Sequence, residues 1–209
     1  DVEVCAMLKL PLTFRNMPSI PTARSHFKEA HSLLLGLLDD ETFLDAVDMT
    51  SQIFTATLQN GCKIISCGNG GSMSDACHFA EELSGKFRED RPAYAAMALS
   101  DSAALTCIGN DYGFENVFSR QIEALGNKGD ILFAISTSGN SPNIIKAAKA
   151  ARSKNMLVVA LTGNDGGELA NVADHEIRVP WTGYSDRIQE VHIKCIHAII
   201  SSVESQLQA

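Results

Sequence analysis

The chain has 209 residues, a formal net charge of −8 and a hydrophobic content of 45%, which suits one domain of ordinary size with a normal core. The acidic balance argues against nonspecific nucleic-acid binding, which draws on basic stripes, and no run approaches the roughly 20 apolar residues of a membrane helix. An anionic small molecule held in a local pocket is compatible with both facts.

Residues 1–21 carry three prolines and a short apolar patch without a clear cleavage site. They read as a flexible leader or an expression remnant, not a signal peptide. Residues 22–209 read as a single domain. Two helices open it, over Thr22–Leu38 and Asp40–Asn60, the second stopped by Gly61. Strand and helix patterns then alternate. Strands are expected at Cys62–Cys67, Tyr94–Leu99, Asp130–Ile135, Met156–Leu161 and His175–Val179. Helices are expected at Ser72–Leu83, Ala103–Ile108, Glu115–Leu125, Pro142–Lys154 and Ser185–Leu207. Such alternation predicts a parallel sheet covered on both faces, and the short apolar runs fit strands buried on both sides. The expected fold is α/β: a doubly wound five-stranded parallel sheet of order 2-1-3-4-5 behind an N-terminal helical pair. The six cysteines, at 5, 62, 67, 77, 107 and 195, form no C-x-x-C pair. They read as reduced core thiols, the usage of a cytoplasmic protein.

Two loops follow strands at the edge where ligands of such sheets collect. Gly68–Ser72 is glycine-rich and leads into a helix, a way to present backbone N–H groups to an anion. It lacks dinucleotide-site spacing and the lysine of a P-loop, so alone it is equally a tight turn. Ser136–Ser141 packs four hydroxyls into six residues before a helix. A cap needs one hydroxyl, so four favour phosphate binding. His78 and Glu82 stand at i, i+4 on one helix face, as a solvated pair or as ligands. His197 lies in an apolar run and by itself reads as a core histidine. Asn110-Asp111 is either an Asx turn or a grip on sugar hydroxyls, and Asp186 is either a cap or a ligand contact.

Taken together, Ser66–Ser72, His78–Leu83, Ser136–Ser141 and Asp186–Glu190 closely resemble the sugar-isomerase (SIS) domain family, and within it the phosphoheptose isomerase branch. The resemblance runs from about Ser25 to the C-terminus. It implies the flavodoxin-like sheet already expected, and homotetramers with sites between subunits. It also implies interconversion of D-sedoheptulose 7-phosphate and D-glycero-D-manno-heptose 7-phosphate for lipopolysaccharide. By motif, Glu82 resembles the base and His197 the complementary acid/base. Asn69, Gly70, Gly71 and Ser72 resemble the substrate loop, Asn110, Asp111 and Gln189 further substrate contacts, and Ser136, Thr137, Ser138 and Ser141 the phosphate loop. Zinc is implied at His78, Glu82, Gln189 and His197. At Lys86, where relatives of this branch often carry Arg, a forked donor has become a point charge.

Gln189 and His197 are eight residues apart, roughly 12 Å along a helix and about 80° around it. At least one site residue is therefore expected from a neighbouring subunit. The resemblance also admits a noncatalytic sugar-phosphate-binding regulator and a replication-initiation partner of the same family. Such proteins typically lack the matching carboxylate and imidazole, and this chain keeps both. The partners expected are thus a sugar phosphate and further copies of the chain, with no nucleic acid and no membrane.

Overall fold

Thr22 starts the first helix: its hydroxyl accepts the Ser25 N–H while its own N–H donates to Ser25 Oγ, a reciprocal cap for α1 (Ala23–Leu38). Asp40 accepts the Phe43 N–H and starts α2 (Glu41–Gln59). The computed structural model describes residues 21–208; the expected leader, apart from Pro21, lies outside the described residues.

Five strands follow: β1 (Ile64–Cys67), β2 (Ala96–Ala98), β3 (Ile131–Ser136), β4 (Leu157–Gly163) and β5 (His175–Val179). They pair in the order β2-β1-β3-β4-β5, every pair parallel, as expected. The connecting helices are α3 (Gly71–Ser84), α4 (Ser102–Tyr112), α5 (Ser119–Leu125), α6 (Pro142–Ser153) and α7 (Gly167–Val172), and α8 (Ser185–Gln208) closes the chain.

Strand side chains alternate between two cores. Ile64, Ile131, Phe133 and Ile135 face α2, α3 and α8. There Phe54, Phe79 and Phe133 meet edge-on with centroids 5.0–5.5 Å apart, an arrangement suited to the ring quadrupoles. Ile65, Cys67, Leu132 and Ala134 face the other way, onto Phe118, Ile122 and Ile144. Among the described cysteines all are free, and only Cys67 and Cys195 are buried. Burial pushes both thiols up to about 12, so they pack as inert hydrophobes. Cys107 is exposed, against the expectation of a core thiol.

Three local expectations change. The Tyr94 N–H bonds the Leu83 carbonyl at the end of α3, so β2 starts later than expected. Asp101 caps α4 and Gly113 stops it at φ 85°, so Asn110 and Asp111 lie in its last turn rather than in a separate Asx turn. The expected Glu115–Leu125 helix is a 3-10 turn at Phe114–Asn116 followed by α5. α7 was not expected. It has 6 residues, and a packed Leu169 whose N–H bonds the Gly139 carbonyl holds it in place.

Candidate active site

The Gly68–Ser72 loop leaves β1 and the Ser136–Ser141 loop leaves β3. These strands are neighbours, with Cys67 opposite Ala134. The chain winds away from this point in both directions, which makes it the sheet's switch point. Both loops lead into helices whose first turns lack a side-chain cap: Gly70 precedes α3 and Ser141 precedes α6. α1, α2 and α4 are capped by Thr22, Asp40 and Asp101, while the short α5 and α7 also lack a side-chain cap. The Ser141 hydroxyl does not cap its helix; it lies 3.3 Å from Ser136 Oγ. Uncapped N–H groups at the positive end of a helix dipole suit an anion.

Asn69 and Asn143 tie the two loops together. Their amides exchange two hydrogen bonds of 2.9 Å, and Asn143 is buried. Sequence reasoning missed Asn143, because nothing in its pattern marks a partner 74 positions away. Gly139 closes the second loop against α7. A Cβ there would lie 1.8 Å from the Gly166 carbonyl oxygen, so only glycine fits.

The second group lies further along α3, between it and the parallel α8. His78 Nε2 is 3.0 Å from His197 Nε2 and 3.4 Å from Glu82 Oε1. Phe87, also missed from sequence, packs on the His197 ring with centroids 5.7 Å apart. Burial lowers the His197 pKa, and His78 lowers it further, partly offset by Glu82. Both effects favour its neutral form. Asp75, one turn before His78, is raised to about 6 by burial, and its Oδ2 has no partner.

Donors held at about 2.0–2.1 Å in a tetrahedron stand roughly 3.3 Å apart, and two imidazoles with a carboxylate are a set that zinc takes. His78 stands at such a spacing from both Glu82 and His197, but among the described residues the donors that all lie within 4.8 Å of one another are those of His78, Glu81 and Glu82. Glu81 belongs to this group, with Oε1 3.5 Å from His78 Nδ1.

Gln189 is not with them. It stands against the start of α3, where a Cβ on Gly71 would lie 2.7 Å from Gln189 Nε2. Asn110 and Asp111 are exposed and hydrogen-bonded to each other at 2.7 Å; no described hydrogen bond joins them to the other site residues. Lys86 is exposed just beyond α3. Asp186 accepts a hydrogen bond from Arg187.

A doubly wound sheet with two anion-ready loops and an adjacent acid/base group defines a class of phosphate-ester-handling α/β proteins. Residues 26–163 match the family described as SIS domain. The phosphoheptose isomerase of Serratia proteamaculans (strain 568) is 53% identical over 184 residues, covering 88% of this chain and 95% of the relative. That of Sodalis glossinidius (strain morsitans) is 52% identical over 186 residues, covering 89% and 96%. Among solved structures, phosphoheptose isomerase GmhA from Neisseria gonorrhoeae superposes with a TM-score of 0.81 at 44% identity, covering 87% of this chain and 96% of its own. A phosphoheptose isomerase from Francisella tularensis gives a TM-score of 0.85 at 36% identity, covering 90% and 100%. This chain belongs to the SIS domain family and, within it, to the phosphoheptose isomerases.

Proposed function

We propose that the chain interconverts D-sedoheptulose 7-phosphate and D-glycero-D-manno-heptose 7-phosphate by proton transfer through an enediolate. The observation that carries this reading is the run of contacts Glu82–His78–His197 beside two uncapped helix N-termini. The Ser136, Thr137, Ser138 and Ser141 hydroxyls and the first-turn N–H groups hold the phosphate. Seven residues of helix, about 10 Å, separate Gly71 from His78, the order of length of an extended seven-carbon chain with its phosphate.

Glu82 takes a proton from C1 of the ketose and returns it to C2. A neutral imidazole both accepts and donates, so His197 in that form moves the hydroxyl proton from O1 to O2 as the double bond shifts. The anchored phosphate supplies binding energy that orients the reacting end. Zinc, where bound, would be held by His78 and Glu82, with His197 beside His78, and would polarise the carbonyl. Gln189, beside Gly71, contacts substrate at the first loop.

The working unit in this reading is a homotetramer. The helical pair leaves Phe27, Leu35 and Leu38 78%, 49% and 63% exposed, and a groove of about 280 Å³ between α1, α2 and α8 is lined by Leu34, Leu37, Phe43 and Val47. Apolar surface of this kind suits a second copy. Asn110 and Asp111, isolated within one chain, then reach a neighbour's site. No described helix is long and apolar enough to cross a membrane. The test is incubation with sedoheptulose 7-phosphate in D2O, with added zinc and with a chelator. Heptose carrying deuterium at C2 supports the reading. Absence of turnover under every metal condition would favour a binding module.

A further inference from the structure

Arg91 lies just after α3, and its side chain is only 1% exposed. Its guanidinium spends its donors on one structural joint. One terminal nitrogen donates to the Glu82 carbonyl at 2.5 Å. The other donates to the Leu83, Gly85 and Pro92 carbonyls at 2.7, 3.2 and 3.1 Å. Nε donates to Glu204 Oε1 on α8 at 2.6 Å, and the cation lies 4.4 Å from the Tyr94 ring centre. Glu204 is itself buried, its side chain 7% exposed.

The last four carbonyls of a helix have no partner within it. Arg91 caps two of these at the end of α3, and one of the two belongs to Glu82. A cation at this end also suits the helix dipole. Through Glu204 the same guanidinium grips α8 two turns beyond His197. The segment that carries it also carries Phe87, which packs on the His197 ring. A planar fork of five donors makes such a joint, and a lysine ammonium does not reproduce it.

We propose that Arg91 is a positioning residue for Glu82: paired with Glu204, it fixes the last turn of α3 against α8 and so sets the distance between Glu82 and His197. The inference rests on the isomerase reading, and its test begins with wild-type turnover of sedoheptulose 7-phosphate. Arg91→Lys, Arg91→Met and Glu204→Gln are compared with Lys63→Met, which breaks another ion pair with a buried member, Lys63–Asp130, between the residues that precede β1 and β3. Each protein is assayed for kcat, KM and thermal unfolding.

Small misplacements of reacting groups cost rate more than binding. In protein still folded at the assay temperature, Arg91→Lys is expected to lower kcat by about tenfold to a hundredfold with KM within about threefold of wild type. Glu204→Gln, which keeps an acceptor for Nε, loses less. Lys63→Met lowers the unfolding temperature and leaves kcat within about twofold. Should Arg91→Met not fold, Arg91→Lys and Glu204→Gln decide the matter. The proposal is overturned if folded Arg91→Lys keeps wild-type kcat, or if Lys63→Met loses as much kcat as Arg91→Lys. A wild type without turnover would instead overturn the isomerase reading, and this inference with it.

Discussion

Two histidines five residues apart on α8 meet different fates. Five residues turn a helix by roughly 140°, so His192 faces the sheet while His197 faces α3. His192 is fully buried, its Nε2 bonded to the Thr162 carbonyl at 2.9 Å. His197, set in an apolar run, by itself reads as the core histidine, yet it is His192 that the fold buries. What separates them is which element packs on which face, and no local pattern holds that information. Burial lowers the His192 pKa from 6.5 to about 4. The sign follows directly. Between these values the unfolded chain binds a proton that the folded one refuses. The stabilisation is therefore whole above pH 6.5 and is lost as pH falls towards 4. The loss amounts to about 3 kcal/mol. Urea unfolding at pH 7 and pH 4.5 checks this with His192→Gln, which keeps an N–H donor but does not titrate. The variant should show a shallower acid loss than wild type; equal slopes would contradict the assignment.

At the scale of elements, the strand order was legible because β-branched and apolar runs alternate with helical ones, and parallel pairing needs crossovers. Both candidate loops were legible for the same reason: they follow β1 and β3 and lead into helices. Partners across the sheet were not. Asn69 with Asn143, and Phe87 with His197, are contacts made by packing, far apart in sequence. The short α7 escaped because its 6 residues carry too little pattern, and the Gly139 carbonyl and the buried Leu169 hold it in place. Two glycines test this layer. In Gly71→Ala the new methyl meets the flexible end of Gln189, so stability should change by less than about 1 kcal/mol. Displacing Gln189 should nonetheless lower turnover. In Gly139→Ala the methyl meets backbone, at a residue with φ +63°, and about 2–4 kcal/mol should be lost. Denaturant melts of the two variants check the contrast, and similar losses would show that Gln189 does not yield.

For the whole molecule, the sequence led to zinc donors at His78, Glu82, Gln189 and His197. One chain brings His78 to both Glu82 and His197 and leaves Gln189 about 12 Å from His197 along α8. Whether a neighbour lends a residue to the site is a matter of assembly, which one chain's sequence does not encode. Leu38→Glu places a charge on the exposed apolar face of α1. It should reduce the assembly's size in light scattering and lower turnover with it; a dissociated form with full activity would contradict a shared site.

Glu82 and its proton are tested most directly by following sedoheptulose 7-phosphate in D2O with wild-type protein and with Glu82→Gln. The wild type should yield heptose labelled at C2, while Glu82→Gln should yield none and still bind the phosphate ester. Label appearing at an undiminished rate with Glu82→Gln would show that another group is the base.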